Sequence, residues 1–172
     1  MKLPLLNAAA LAFLCPLVSG QTEIKLLPSD GGANDYFGLS VAINGATAIV
    51  GAPWDDDVPM GPGSAYLFDA ATGAQIAKLL ASDGAAFDEF GCSVGISGTI
   101  GIVGSKYDDD NGGYSGSAYL FDATTGTQIT KLLPSDGAAS DEFGWSVAIS
   151  GSIAIVGARH DDDNSFNSGS AY

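Results

Sequence analysis

The sequence predicts an all-β chain built from four-stranded antiparallel sheets repeated along the polypeptide. Three observations predict it. Phe37-Gly38 returns as Phe90-Gly91 and again as Phe143-Gly144, an unbroken 53-residue step with no insertion or deletion. A period that long, filled with short β-type runs, describes one supersecondary unit per repeat. Helical periodicity is absent throughout. Glycine counts 24 of 172 residues in a chain that is 46% hydrophobic, which suits short strands and turns better than long helices or a disordered polymer.

The first twenty residues read as an export signal. Lys2 supplies a positive start, Leu5 to Cys15 an apolar run interrupted only by Asn7, and Val18-Ser19-Gly20 a small-residue cleavage site, so the mature chain is expected to begin near Gln21. Cys15 lacks the preceding small residue of a lipid-anchored signal. The domain proper then spans 21–172, with repeats starting near Phe37, Phe90 and Phe143.

Breakers and composition place the strands. Ile24 to Leu27 matches the fourth strand of a repeat and stands alone. In the second repeat, Cys92 to Ile96 forms the first strand, Ser97-Gly98 a tight turn, and Ile100 to Gly104 the second strand. Ser117 to Phe121 follows as the third, Asp122 to Thr127 as a Gly-containing hairpin loop, and Gln128 to Leu133 as the fourth. The first two strands are rich in Ala, Gly and Val, whereas the third carries Tyr119 and Phe121. Sheets radiating from an axis need that gain in bulk, since the gap between them widens outwards, and this favours a β-propeller over a sandwich. The chain then holds about two and three-quarter blades: Phe37 to Leu80, Phe90 to Leu133, and a third that reaches Tyr172 inside its third strand. Propellers close with about 4 to 8 blades. Two completions are open: the propeller continues in a longer chain, or copies assemble head to tail, the orphan strand of one completing blade three of the next.

Charge narrows the partners. With 6 Lys+Arg against 20 Asp+Glu the net charge is -14, which excludes nucleic acid as a partner and disfavours anionic membranes. No stretch after the N-terminus has the run of apolar residues a membrane span needs. Without its signal the chain keeps Cys92 alone, in the slot of Leu39 and Trp145, where it reads as an apolar filler that forms no internal disulfide.

The run Phe90-Gly91-Cys92-Ser93-Val94-Gly95-Ile96 followed by Ile102-Val103-Gly104-Ser105, with the variants Ile49-Val50-Gly51-Ala52-Pro53 and Ile155-Val156-Gly157-Ala158, resembles the FG-GAP repeat. The resemblance covers essentially all of the mature chain. It implies the propeller of integrin α-subunits and of secreted bacterial proteins that serve adhesion or ligand binding, and it says more about fold than about function. Integrin-type repeats carry an Asp-rich calcium loop between the first and second strands. Here that connection is Asn44-Gly45-Ala46-Thr47, Ser97-Gly98-Thr99 or Ser150-Gly151-Ser152, with no carboxylate, so the chain is similar to the variety lacking that loop.

The acids lie elsewhere. Asp55-Asp56-Asp57, Asp108-Asp109-Asp110 and Asp161-Asp162-Asp163 join the second strand to the third, and a second acidic loop joins each fourth strand to the next repeat. Seventeen of the 20 acidic residues fall in these two loop classes; Glu23, Asp69 and Asp122 lie outside. In an up-and-down blade both classes emerge on one face, which becomes the expected working surface. Calcium takes about 6 to 8 oxygen ligands, and alternate carboxylates can turn towards one ion, so Asp55, Asp57, Asp108, Asp110, Asp161 and Asp163 are the candidate metal ligands. The competing reading is a solvated loop that discourages edge-to-edge association. His160, in the slot of Trp54 and Tyr107, reads as loop packing, and no repeated Ser/His/Asp set accompanies it.

Two function classes follow. One is a secreted or surface-displayed binding module that holds a protein or glycan through its acidic loop face, with no catalytic residues. The other is a fragment or accessory domain of an extracellular lyase or hydrolase. A catalytic site breaks the repeat at one blade, and Arg159-His160 is the break the sequence offers.

Overall fold

The computed structural model describes residues 23–56 and 61–172; the expected signal segment 1–20 and Asp57 lie outside the described residues. Among the described residues eleven strands form: β1 Ser40–Asn44, β2 Thr47–Ala52, β3 Ser64–Asp69, β4 Gln75–Leu79, β5 Phe90–Ser97, β6 Ile100–Ser105, β7 Ser117–Asp122, β8 Gln128–Leu132, β9 Phe143–Ser150, β10 Ile153–Ala158 and β11 Ser170–Ala171. They pair in chain order into three antiparallel sheets, β1-β2-β3-β4, β5-β6-β7-β8 and β9-β10-β11. These are blades of the expected kind. No helix forms among the described residues, and hence none long and apolar enough to cross a membrane.

The strands fall where the breakers put them, with two differences. β5 starts at Phe90 rather than Cys92, because the ladder bulges: Phe90 faces Ser105 and pairing resumes at Ser93 opposite Gly104. Gly91 sits in the bulge at φ +96°, a conformation glycine adopts without strain. The second difference is that residues 24–27 form no strand. They do occupy the place of a fourth strand: Leu26 packs on the Tyr66 and Phe68 cluster, and Ser29 N–H donates to Gln75 Oε1 at 2.9 Å as Ser82 N–H does to Gln128 Oε1. Among the described residues no third strand precedes them to pair with.

Burial explains the blade order. One face of blade one, with Ile49, Ala65, Leu67 and Leu79, packs on the face of blade two that carries Val94, Ile96, Val103 and Phe121. The opposite face of blade two, with Ile102 and Ala118, packs the same way on Val156 and Phe143 of blade three. Within each blade the motif phenylalanine meets the third-strand tyrosine edge-on, with centroids 5.6 Å apart for Phe37–Tyr66, 5.4 Å for Phe90–Tyr119 and 5.5 Å for Phe143–Tyr172. The bulky rings thus fill the wider part of the wedge, as the gain in bulk along the strand order requires.

The two glycines of the motif meet across each junction. A Cβ on Gly51 would stand 2.0 Å from the Gly91 carbonyl oxygen, and one on Gly104 2.1 Å from that of Gly144. The carbonyl is also the acceptor for a serine of the preceding blade, Ser40 Oγ at 2.8 Å for Gly91 and Ser93 Oγ at 2.7 Å for Gly144. The Phe-Gly of one repeat is therefore the socket for the Gly-Ala of the one before it.

Candidate functional site

The β2–β3 and β4–β5 types of loop share one face and are tied together by main-chain hydrogen bonds. Tyr107 N–H donates to Asp88 O at 3.2 Å, Phe90 N–H to Pro62 O at 2.7 Å, and Glu142 N–H to Tyr114 O at 3.1 Å. The acids of these loops divide by task. Asp88 and Asp141 each accept from a backbone N–H three residues back, Ala85 at 2.7 Å and Ala138 at 2.6 Å, and Asp35 makes the same contact to Gly32. All three are buried. They are loop closures in the manner of a capped turn.

The first member of each triplet is a strand anchor. Asp108 Oδ2 lies 2.8 Å from the Tyr119 hydroxyl and 2.8 Å from Lys131 Nζ. The same ammonium reaches Asp110 at 2.7 Å and Asp83 at 2.9 Å. Burial alone would lower the Lys131 pKa, but its three carboxylates hold it well above the ordinary lysine range. Blade one repeats the arrangement with Asp55, Tyr66, Lys78 and Asp30, the ammonium standing 2.9 Å from Asp55 and 2.8 Å from Asp30. In blade three Tyr172 donates to Asp161 at 2.7 Å, and no lysine accompanies them among the described residues. There the negative charge of Asp161, then of Asp136, holds Asp163 above the usual carboxylate range.

The candidate metal ligands are thus placed as follows. Asp55 and Asp108 are buried against tyrosine and lysine, Asp110 shares Lys131, and Asp161 and Asp163 are linked by the Asp163 N–H to Asp161 Oδ1 bond of 3.0 Å. Among the described residues no group of three or more His, Cys, Asp or Glu side chains is arranged to hold a metal ion. His160 lies 3.5 Å from Glu142, which also accepts from Arg159 at 2.7 Å, and the Arg159 guanidinium covers the Trp145 ring at 3.4 Å. The Arg159-His160 break in the repeat therefore packs against Trp145 and Glu142.

A cleft of about 700 Å³ opens between the loops of the first two blades. Trp54, Phe87, Tyr107 and Tyr114 form its aromatic wall, and Asp56, Glu89 and Glu142 supply carboxylates. Trp54 is braced edge-on by Tyr36 at 5.4 Å, and Tyr107 by Tyr114 at 5.0 Å. Trp54, Phe87 and Tyr114 remain exposed. Flat π-faces beside carboxylates attract a cation or the apolar face of a sugar. Sequence reasoning located the loops but not the cleft. The available signal was that Phe87 stands where the other repeats have Asn34 and Ser140, and Tyr114 where they have Gly61 and Asn167.

One of the closure aspartates carries a pH signature. Burial pushes Asp88 up to about 6, with the nearby charges of Asp108 and Asp109 adding to it. Its folded pKa lies above its unfolded value, so the folded state keeps a proton that the unfolded chain has lost, and stability falls as pH rises from about 4 through 6. Asp88→Asn, which keeps an acceptor for Ala85, is expected to flatten that interval in melting curves and to raise stability at pH 7 by about 1 kcal/mol.

A family model described as FG-GAP repeat matches residues 21–68, 74–121 and 127–172. No curated protein matches the chain. Among solved structures, that of the computationally designed Ika4 protein aligns over 90% of this chain and 98% of its own, with 16% identity and a TM-score of 0.41. The designed Ika8 protein aligns over 70% of this chain and 42% of its own, with 14% identity and a TM-score of 0.31.

Proposed function

The chain belongs to the FG-GAP repeat family, and from that premise we propose that it is a secreted or cell-surface binding module, rather than an enzyme, whose loop face engages a protein partner through basic side chains. The observation that carries the proposal is the cleft in which Trp54, Phe87, Tyr107 and Tyr114 stand beside Asp56, Glu89 and Glu142. A lysine or arginine entering it meets ring faces and carboxylates together, in a field set by a net charge of -14. Secretion is supported by the segment 1–20 and by a repeat typical of extracellular proteins. For the aspartate clusters of blades one and two, the cation we assign is the lysine ammonium rather than calcium, since it already engages Asp55, Asp108 and Asp110.

The exposed rings of Trp54 and Phe87 favour a glycan as the second reading. A fluorescent Lys/Arg-rich peptide and a panel of neutral oligosaccharides separate the two. The peptide is expected to bind saturably, to weaken as salt rises, and to lose at least about tenfold in affinity on Trp54→Ala or Asp56→Asn. Phe166→Ala, exposed in another loop, serves as the neutral control. Salt-insensitive binding of an oligosaccharide instead of the peptide supports the glycan, and binding indifferent to Trp54→Ala removes the cleft from the account.

A further inference from the structure

We propose that the cation best matched to the cleft is a trimethylated lysine side chain of the protein partner, held by the ring faces of Trp54, Phe87, Tyr107 and Tyr114 with the Asp56 carboxylate beside them. The inference rests on the loop-face reading above and deepens it, from a basic side chain in general to a cation that carries no N–H donor.

The first observation is how two of the rings are displayed. Phe87 and Tyr114 sit at φ +72° and +59°, in the left-handed region that a bulky side chain avoids. The equivalent positions hold Asn34 and Ser140 at +71° and +74° for Phe87, and Asn167 at +52° for Tyr114. Asparagine visits that region readily and an aromatic residue does not. Burial does not offset the strain, because Phe87 and Tyr114 are 62% and 57% exposed. Backbone strain that serves to present an exposed side chain points to a ligand for it.

The second observation is that the deeper carboxylates of the cleft are already engaged. Lys106 Nζ lies 2.7 Å from Glu89 Oε2 and stands over the Tyr107 and Trp145 rings, 4.7 and 4.6 Å from their centroids. Burial alone would lower the Lys106 pKa, but Glu89 holds it above the ordinary lysine value, so the pair stays charged. Glu142 is taken by Arg159. Asp56 is exposed and has no hydrogen-bond or ion-pair partner among the described residues.

These two features together select the cation. A primary ammonium or a guanidinium brings several N–H donors, and between ring faces it must shed water with few free acceptors to replace it. A trimethylammonium has no N–H to satisfy, and its methyl groups carry the charge directly against the rings. The cleft of about 700 Å³ also leaves room for the lysine stem and the peptide that bears it. A choline phospholipid headgroup offers the same cation, but with a phosphate that Asp56 and a net charge of -14 repel.

The test is fluorescence anisotropy on the intact protein with three peptides that differ at one central lysine: unmodified, trimethylated, or a neutral isostere with carbon in place of the ammonium nitrogen. The trimethylated peptide is expected to bind at least about tenfold tighter than either of the others. Phe87→Asn, which installs the residue of the equivalent position 34, is expected to raise the melting temperature while cutting that preference at least about threefold. Lys106→Met frees Glu89 to accept an N–H, and is expected to narrow the preference by strengthening the unmodified peptide. Equal binding of the unmodified or the neutral peptide overturns the proposal and leaves the loop-face reading standing, as does a preference untouched by Phe87→Asn. Failure of all three peptides to bind overturns both. Displacement of the trimethylated peptide by phosphatidylcholine vesicles overturns the assignment to a protein partner.

Discussion

Gly104→Ala is expected to destabilise the protein by about 3 kcal/mol or more, lowering the melting temperature by about 10 °C. The new methyl would lie 2.1 Å from the Gly144 carbonyl oxygen and 3.0 Å from its carbon, both main-chain atoms of the bulge that Phe143 and Ser146 flank in the blade-three ladder. No rotamer relieves such a contact, so the two blades must separate and Ile102, Val156 and Phe143 lose their packing. Gly51→Ala, 2.0 Å from the Gly91 oxygen, is expected to act alike. Gly157→Ala is the internal comparison: its one close neighbour is the movable Ser146 hydroxyl, and it should cost less than about 1 kcal/mol. Equal losses at the three positions would mean that the glycines serve the backbone and not the junction.

Lys131→Met carries the second large effect, a loss of about 3 kcal/mol near neutral pH. The substitution keeps the apolar stem but leaves Asp83, Asp108 and Asp110 facing one another, with Asp108 almost fully buried. In the parent protein the Lys131 pKa is raised, so its stabilisation is present throughout below its unfolded value and is lost only as pH rises through the folded one. Asp83 shifts the other way: burial opposes ionisation, but Lys131 and Tyr119 hold its pKa below the ordinary value, so its contribution is lost as pH falls through the folded pKa. Without the lysine Asp83 loses the partner that favours its charged form, and the deficit of the variant should shrink on acidification. Urea unfolding of both proteins from pH 7 down to pH 4 reads this directly. A deficit that stays constant with pH would assign Lys131 a packing role alone.

The strands were legible because the repeat is unbroken: each turn and each apolar run is written three times, and the ladder follows. The bulge at Gly91 was not, because a glycine beside Phe90 reads as a breaker until its positive φ is seen to belong to the junction. The strand-like pattern of Ile24 to Leu27 misled for a related reason, since a strand exists only with a partner and the pattern does not say whose. The aspartate triplets point to a shared ion by their spacing alone. Their first members face Tyr66, Tyr119 and Tyr172, each eleven residues on, and two of them face lysines that the sequence sets directly across the ladder from the tyrosine. A lone charged residue on the fourth strand, a lysine recurring every 53 residues, was the signal for that cluster. The cleft is legible in the opposite way, at positions such as Phe87 and Tyr114 where the repeat is not kept.

The most direct measurement of the account is hydrogen–deuterium exchange on the protein with and without the Lys/Arg-rich peptide. Binding at the loop face predicts slowed exchange in residues 53–56, 87–89, 107–114 and 142, with the hairpin turns near 45, 98 and 151 unchanged because they lie on the opposite face. Protection confined to those turns, or to the open faces of blades one and three, would contradict it.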